Sequence, residues 1–196
     1  NIKFISEKNY HVSWKADGTR YLLLIVGRDR VYMLDRDNAV FQVKNLSFPK
    51  SNDLTKHLEK CLFDGELVVD RDINHLNPQT GQAMEYPRFL LYDAIIFKEN
   101  EVGKAVFDIR MECINNEIIV PRDRAKRKQI INASLEPFSI RMKPFRSLQD
   151  PRGKWREYCH ANWAKHLTHE TDGLIFQPSG KTDVYKVGRC EDILKW

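Results

Sequence analysis

The sequence lacks the features that mark membrane proteins, disulfide-rich secreted proteins and repeat proteins. Its 196 residues contain no apolar run long enough to span a bilayer, no signal peptide, no internal repeat and no low-complexity tract. Cysteine is scarce, and the four that are present include no C-x-x-C pair: Cys61, Cys113, Cys159 and Cys190. We therefore expect reduced, mostly buried thiols rather than a disulfide framework or a zinc site. The nearby histidines match no usual zinc spacing either: His160, His166 and His169.

The charge is moderately basic, with a formal net charge of +5 and a pI of about 9.0. That balance suits a polyanionic partner without identifying one. The densest basic run is "PRDRAKRK" at 121–128, which we interpret as a solvated loop. Hydrophobic residues make up 42% of the chain, enough for a core in one large domain or two small ones.

Short apolar and alternating segments, separated by turn residues, predict mainly antiparallel strands. The predicted strands are 12–14, 20–26, 31–36, 39–46, 62–70, 88–98, 138–145 and 172–178. Helical patterns occupy 51–62, 105–120 and 154–167, and the second helix should end at Pro121. The polar segment 71–87 indicates a surface loop, and three aromatic residues are assigned to the core: Phe138, Trp155 and Trp163. The sum is one α+β domain with helices flanking mainly antiparallel sheets.

Polar residues interrupt the apolar strands at or near their ends. They are Lys15, Asp17, Arg20, Asp35, Arg36, Asp64, Glu66, Tyr92, Asp93, Asp172 and Lys195. Strand ends often meet solvent, and that explains any one of these positions. It explains the whole set poorly, because the residues would converge if the strands lined a cleft.

The residue types in this set suit a nucleotide. Lysine and arginine around a cleft complement a nucleoside triphosphate, and carboxylates such as Glu66 and Asp172 are the oxygen ligands that Mg²⁺ prefers. Tyr92 offers an aromatic face to a base. A lysine beside other cations can act as a nucleophile, and Gly18 permits a tight turn just after Lys15. These residues indicate a nucleotide site with a lysine available for covalent chemistry.

The hexamer Lys15-Ala16-Asp17-Gly18-Thr19-Arg20 resembles the K-x-D-G-x-R signature of covalent nucleotidyltransferases. That superfamily comprises DNA ligases, RNA ligases and GTP-dependent mRNA capping enzymes. Four further segments resemble its later motifs in the same order: "LFDGELVVD", "RFLLYDAIIF", "HETDGLIFQP" and "DILKW". Together they resemble the guanylyltransferase domain of metazoan mRNA capping enzymes, across nearly the whole chain.

This resemblance implies a two-step reaction with Mg²⁺ or Mn²⁺. Lys15 would attack the α-phosphate of GTP, and the GMP would then move to the 5′-diphosphate end of nascent RNA. Six further residues would bind the nucleotide: Arg20 and Arg36 its ribose or phosphate oxygens, Glu66 its ribose, Tyr92 its base by stacking, Lys165 its guanine O6 and Lys195 its α-phosphate. Glu66 could instead support the metal. Asp172 would bind the metal.

Simpler roles remain open for three of these residues. Arg20 could pair with Asp17 as a surface salt bridge, and Glu66 could cap a turn. Tyr92 could be an ordinary core residue, the commonest fate of an aromatic side chain in an apolar strand.

The resemblance also implies the organisation and surroundings of the chain. Residues 1–196 would form the nucleotidyltransferase core, similar to a ligase or ATP-grasp core, with a C-terminal OB-fold domain and an N-terminal RNA triphosphatase domain outside the chain. Expected partners are GTP, the RNA 5′ end and the phosphorylated C-terminal tail of RNA polymerase II, with no membrane contact and a nuclear location.

Two other functions remain open at this level. An ATP-dependent polynucleotide ligase adenylation domain shares the lysine chemistry, although ligases more often carry a glutamate where "DGLIFQP" has Asp172. Alternatively, a non-catalytic module with the same fold would bind RNA 5′ ends or a protein. A preference for ATP over GTP would indicate the ligase domain. RNA binding that is unaffected by Lys15→Ala would indicate the non-catalytic module.

Overall fold

A computed structural model describes residues 2–160 and 162–196 of the chain. In these residues ten strands form two sheets, and the larger has six strands in the order β4-β3-β2-β5-β6-β7, whereas the smaller has the order β10-β9-β1-β8. The strands are β1 Tyr10–Ala16, β2 Thr19–Gly27, β3 Arg30–Leu34, β4 Val40–Gln42, β5 Cys61–Leu76, β6 Ala83–Ile96, β7 Ser139–Met142, β8 Arg146–Ser147, β9 Thr171–Pro178 and β10 Leu194–Lys195. Apart from the parallel pair β6–β7, the neighbouring strands are antiparallel. The predicted α+β class is confirmed.

The main core lies on one face of the larger sheet. Alternate residues of β2 and β3 point into it, among them Leu23, Ile25 and Val31, each no more than 1% exposed. Ile114 and Ile118 from the helical segment cover this face and are fully buried. Phe138 belongs to the same cluster, as predicted.

A second core joins the two sheets. Trp14 of β1 and Leu174 of β9 pack with Val68 and Leu90 of the larger sheet. Trp155 and Trp163 lie against this cluster and are half-buried rather than fully enclosed. The small sheet therefore has a fixed position on the large one, and the polar strand ends of both meet at a common edge.

The helices are short. They are α1 Ile2–Glu7, α2 Phe107–Ile114 and α3 Val120–Arg127, with a π-helical turn at Asn115–Ile119 between the last two. The prediction that the helix ends at Pro121 is wrong. The π turn is followed by the first turn of α3, and a proline is tolerated there because the N–H groups of a first helical turn have no partner within the helix. In the part of the chain that the structure describes, no helix is long and apolar enough to cross a membrane.

Two predicted helices are also wrong. Segment 51–62 forms turns, because the Asp53 carboxylate accepts hydrogen bonds from the backbone N–H and hydroxyl of Thr55 and competes with a helix. Segment 154–167 contains two 3₁₀ turns, Lys154–Cys159 and Trp163–His166. Ala161, within that prediction, lies outside the described residues.

The predicted loop at 71–87 is mostly strand. Strand β5 continues to Leu76 and β6 begins at Ala83, so the loop shrinks to the turn between them. The expectation of mostly buried thiols is also wrong. Cys61 is buried, two thiols are half-buried, Cys159 is exposed, and all four, which lie in the described residues, are free.

The basic run at 121–128 is helical for most of its length, so its interpretation as a solvated loop is wrong. Arg122 is 3% exposed, and its guanidinium donates to Glu136 at 2.5 Å and to the carbonyl oxygen of Ser47. The same group lies 4.9 Å from the ring centre of Phe48. One arginine of the run therefore fixes α3 to the segment that precedes β5.

We predict that Arg122→Ala lowers the free energy of unfolding by about 3 kcal/mol, because the buried Glu136 would keep only Lys126 as its ion-pair partner. The matched control is Arg127→Ala on the same helix, which is exposed and should change stability by no more than about 0.5 kcal/mol. Denaturant unfolding measures both. Equal effects of the two substitutions would contradict the buried-anchor role of Arg122.

Candidate nucleotide-binding site

Lys15 lies near the end of β1, where the chain leaves the small sheet for the large one. Its Nζ atom is 2.5 Å from Oδ2 of Asp172, and its side chain is 32% exposed. The hydroxyl of Thr171 donates to the carbonyl oxygen of Lys15 at 2.6 Å, and the N–H of Asp17 donates to the carbonyl of Glu170 at 3.0 Å. The lysine backbone is thus held by the segment that carries its carboxylate partner.

A β-bulge aims that carboxylate. Trp14 pairs with Leu174 and Ala16 pairs with Thr171, so two residues of β9 stand opposite Lys15 alone. These are Asp172 and Gly173, and Gly173 has a φ of +134° that side chains disfavour. Bulges turn side chains out of the regular alternation, which brings the Asp172 carboxylate to the Lys15 amine.

The connection from β1 to β2 passes very close to β5. A Cβ atom at position 18 would lie 2.4 Å from the carbonyl oxygen of Leu67 and 2.9 Å from Cγ of Glu66. Glycine is therefore required at position 18 for steric reasons. This close approach carries the chain from Lys15 on one sheet to Arg20 on the other within five residues.

The residues converge on an open cavity of about 1170 Å³ between the two sheets. Its lining includes most of the charged strand-end residues together with parts of the C-terminal segment: Lys15, Arg20, Arg36, Asp64, Glu66, Tyr92, Lys143, Tyr185, Lys186, Arg189 and Lys195. The volume is sufficient for a nucleotide and a second group beside it. In the complete lining, eight lysine and arginine residues accompany six aspartate and glutamate residues, and this small excess of positive charge suits a phosphorylated ligand.

Asp64 anchors one side of the cavity. It is 2% exposed and accepts two hydrogen bonds from Arg20, at 2.9 and 2.6 Å. The hydroxyls of Tyr92 and Tyr185 donate to the same carboxylate at 2.8 and 2.9 Å. Burial raises the pKa of both tyrosines, so their hydroxyls remain protonated donors. Arg20 therefore pairs with a buried partner instead of Asp17.

Glu66 and Lys143 form the floor of the cavity. Burial raises the pKa of Glu66, while Lys143 and the backbone N–H of Gly18 oppose the rise. Lys143 is 3% exposed, and burial lowers its pKa to about 8, with the like charge of Lys15 acting in the same direction. Its Nζ atom lies 5.8 Å from the ring centre of Tyr92. A buried amine of this kind is available to donate to an acceptor on a ligand.

The C-terminal segment 183–192 closes the remaining side. It is tied to the large-sheet side by Arg110, which donates to the carbonyl of Asp183 at 3.0 Å, and by the N–H of Tyr185, which donates to Gly103 at 2.8 Å. On the small-sheet side, Lys8 and Lys186 both bind the Asp192 carboxylate, at 2.8 and 3.0 Å. This segment spans the mouth of the cavity and connects both sheets.

Most predicted site residues come together. Six line the cavity, Lys15, Arg20, Arg36, Glu66, Tyr92 and Lys195, and Asp172 contacts Lys15 directly. Lys165 does not join them, because its 3₁₀ turn packs Trp163 against Tyr158 and leaves Lys165 exposed to solvent.

Sequence reasoning missed Asp64, Lys143 and Tyr185 as site residues. Asp64 was among the strand-end charges but received no role. Lys143 follows β7 directly and interrupts an apolar segment in the same way as the others, which is a signal that could have identified it. Tyr185 lies in an irregular loop and carries no such signal.

The fold is thus one of two sheets that meet around a charged cleft, with Lys15 at their junction. Solved structures share this architecture. A structure named Pmar-Lig_PreS3 has a TM-score of 0.56 with 14% identity, covering 100% of this chain and 44% of that one. A mycobacterial DNA ligase D complexed with ATP and MES has a TM-score of 0.50 with 13% identity, covering 95% and 54%.

The chain belongs to the mRNA capping enzyme family, since the family model "mRNA capping enzyme, catalytic domain" matches residues 1–196. It is 48% identical to the mRNA-capping enzyme of Mus musculus over 196 residues, which cover 100% of this chain and 30% of that protein. Identity to the Danio rerio enzyme is 46%, over 100% of this chain and 30% of that protein. Identity to the Caenorhabditis elegans enzyme is 38%, over 100% and 29%. The chain thus spans about 30% of the length of these relatives.

We predict that the Lys143 ammonium loses its proton near pH 8, well below the ~10.4 of an unperturbed lysine. Between these values the folded state binds fewer protons than the unfolded state. Stability relative to Lys143→Met should therefore rise as the pH increases from about 8 to about 10.4. A ¹³C NMR titration of the lysine side chains measures the midpoint, with Lys143→Met identifying the resonance. A midpoint near 10 would contradict the burial of a charged amine.

Proposed function

We propose that the chain is the nucleotidyltransferase core of an RNA guanylyltransferase, with Lys15 as the nucleophile. The single observation that carries the proposal is the Lys15–Asp172 pair at the mouth of a cation-lined cavity, in a chain of the capping enzyme family. Covalent catalysis needs an amine that faces the reacting phosphate and a route for its proton. Lys15 lines the cavity, and the closest acceptor of its proton is the Asp172 carboxylate 2.5 Å away.

In the first step, the Lys15 amine attacks the α-phosphorus of GTP. A nitrogen–phosphorus bond forms, the bond from the α-phosphorus to its bridging oxygen breaks, and pyrophosphate leaves. The amine attacks only as the neutral –NH2, so the Lys15 ammonium first gives a proton to the Asp172 carboxylate, its nearest acceptor, and the ion pair is lost. Cations around the cavity stabilise the charge that accumulates on the phosphate oxygens.

In the second step, an oxygen of the RNA 5′-diphosphate attacks the same phosphorus. The nitrogen–phosphorus bond breaks, and the Lys15 amine leaves and takes up a proton. The product is the GpppN cap, and the lysine returns to its starting state. Both steps place a further phosphate group beside the α-phosphate, pyrophosphate in the first step and the RNA 5′-diphosphate in the second. The cavity volume is sufficient for both groups.

The lining residues support defined contacts. Asp64 holds Arg20 through two hydrogen bonds, so the remaining guanidinium nitrogen is oriented in advance for ribose or phosphate oxygens. Lys195 pairs with Ile175 across the small sheet, on the strand that carries Asp172, and suits the α-phosphate. Arg36 lies in the exposed turn after β3 and suits the outer phosphates. Tyr92, with its hydroxyl fixed by Asp64, can present only its ring to a base.

A divalent cation fits the donor set. No group of three or more His, Cys, Asp or Glu able to hold a metal occurs in the described residues, and Mg²⁺ with nucleotides commonly uses one or two carboxylates plus phosphates and water. Asp172 would hold it, with Glu66 supporting, and the ion would supply charge neutralisation at the phosphates. A cation bound by Asp172 would repel the Lys15 ammonium beside it, which favours the neutral amine.

The wider setting also belongs to the proposal. The acceptor would be the 5′-diphosphate end of nascent RNA, and the phosphorylated tail of RNA polymerase II would bring the protein to it in the nucleus. The names of the relatives, mRNA-capping enzymes, support the RNA acceptor. Exposed cations on α3, such as Arg127, suit a phosphorylated tail by their charge.

We predict covalent labelling of the wild-type chain by α-labelled GTP with Mg²⁺, and no labelling of Lys15→Ala, because only Lys15 carries the attacking nitrogen. Protein-bound label is read on a denaturing gel. The assay uses this chain and a form that continues beyond Trp196, since the chain spans about 30% of its relatives. Lys56→Ala, an exposed lysine outside the cavity, serves as the matched control and should label like wild type.

The alternatives give different results in the same assay. Label from ATP in preference to GTP would indicate a ligase adenylation domain. No label in either form, with RNA binding that is unaffected by Lys15→Ala, would indicate a non-catalytic module. Transfer of the label to 5′-diphosphate RNA, and not to 5′-monophosphate RNA, is expected for the guanylyltransferase.

We also predict that Asp172→Asn weakens the metal site, because a neutral amide replaces a charged ligand. The Mn²⁺ concentration for half-saturation, measured by electron paramagnetic resonance with a non-reactive GTP analogue, should rise at least about tenfold. Asp123→Asn, an exposed carboxylate on α3, is the control and should change nothing. An unchanged Mn²⁺ affinity in Asp172→Asn would contradict the assignment.

A further inference from the structure

Behind the Lys15–Asp172 pair lies a polar cluster with a buried centre, which the proposed reaction does not use. It consists of Trp14, His169, Asp70, Thr168 and Arg88. The side chains of His169 and Asp70 are 5% and 6% exposed. Burying polar side chains costs free energy unless they find hydrogen-bonding or charged partners, so we expect the contacts of His169 and Asp70 to have a structural role.

The hydrogen bonds form a chain from one sheet to the other. The indole Nε1–H of Trp14 donates to Nε2 of His169 at 2.9 Å, and Nδ1 of His169 lies 2.9 Å from Oδ1 of Asp70. The hydroxyl of Thr168 donates to the same oxygen at 2.7 Å. The other oxygen, Oδ2, forms an ion pair with the Arg88 guanidinium at 2.7 Å, without a hydrogen bond of regular geometry. Trp14 belongs to the small sheet, and Asp70 and Arg88 belong to the large one.

These partners fix one protonation state of His169. An indole nitrogen is a donor only, so Nε2 must accept and carries no proton. The proton of a neutral imidazole is then on Nδ1, where the Asp70 carboxylate accepts it. The opposite tautomer and the imidazolium both carry a proton on Nε2, which would point at the indole N–H of Trp14.

The cluster brackets the reacting pair. Trp14 directly precedes Lys15, and His169 precedes the bulge that contains Asp172 by three residues. Trp14 is also the last residue in register before the bulge. A bond between these two side chains therefore sets the relative position of the two strands at the point where Lys15 meets Asp172.

We propose that His169, held as the Nδ1-protonated tautomer between Trp14 and Asp70, is a positioning residue for the Lys15–Asp172 pair. The effect on catalysis rests on the proposed function, whereas the tautomer does not. His169 touches neither nucleotide nor metal. Its two hydrogen bonds connect Asp70, in the large sheet, to Trp14, at the strand end that carries Lys15.

The first test is kinetic and uses His169→Leu and His169→Gln. Leucine removes both hydrogen bonds at similar volume, whereas glutamine keeps a donor and an acceptor on one terminal group. We expect the maximal rate of lysyl-GMP formation to fall roughly tenfold or more in His169→Leu, because small misplacements of reacting groups are costly. The GTP concentration for half-maximal rate should stay within about twofold, and His169→Gln should recover most of the rate.

Matched controls separate positioning from stability. His166→Leu changes an exposed histidine three residues away and should leave the rate unchanged. Thermal unfolding of each variant sets an assay temperature at which all are folded. A wild-type maximal rate in folded His169→Leu would overturn the proposal, as would an equal loss in His169→Leu and His169→Gln.

The second test does not depend on activity. ¹⁵N NMR of the wild-type imidazole should give a protonated Nδ1 and an unprotonated Nε2, and the Trp14 indole proton should exchange faster in His169→Leu than in His166→Leu. The opposite tautomer, or an indole proton that exchanges equally in both variants, would overturn the proposal. If the wild-type protein takes no label, the proposed function fails, and these two measurements still decide whether His169 bridges the sheets.

Discussion

The cleft depends on the buried carboxylate of Asp64, which lies in β5 near the centre of the larger sheet. A charge that is 2% exposed must be compensated locally, and the compensation comes from three directions: Arg20 on β2, Tyr92 on β6 and Tyr185 from the C-terminal segment. These contacts connect the strands on either side of β5 and draw the end of the chain across the cavity. The same contacts orient Arg20 toward the ligand space. A single desolvated carboxylate therefore links the integrity of the sheet to the shape of the site.

The smaller sheet positions the Lys15–Asp172 pair through a different constraint. The bulge opposite Lys15 places Asp172 out of the regular alternation, and the close approach of Gly18 to β5 fixes where the chain changes sheets. Behind both, His169 joins Trp14 to Asp70, so that the strand end is fixed from the side of the core as well as from the side of the cavity. The positions of nucleophile and carboxylate thus follow from backbone sterics and from buried hydrogen bonds, with little freedom left to the side chains.

The sequence alone predicted the parts of this arrangement that depend on local pattern. Alternating apolar residues identified most strands, and the polar interruptions identified Lys15, Arg20, Glu66 and Tyr92, which do converge on the cavity. The predictions were wrong where tertiary contacts determine the secondary structure or the burial of a side chain. At 51–62 the helical spacing is overridden by the turn that the Asp53 side chain stabilises. Pro121 does not end the helical segment, because a π turn precedes it. Arg122 is buried because it pairs with Glu136, which lies in a later segment. Lys165 was assigned from its proximity to "DGLIF" in sequence, yet the packing of Trp163 directs it to solvent. Tyr185 depends on the path of an irregular loop, which no periodicity records.

The two-residue passage from β1 to β2 has a mechanical consequence. Lys15 moves with the small sheet and Arg20 with the large one, although five positions separate them in sequence. A ligand bound covalently to the first and by hydrogen bonds to the second is therefore also a brace across the joint between the sheets. In the proposed reaction, such a ligand would stabilise the folded state while it is attached, and this stabilisation would end when the phosphorus–nitrogen bond breaks. The rigidity of the joint between the sheets would then change with each transfer.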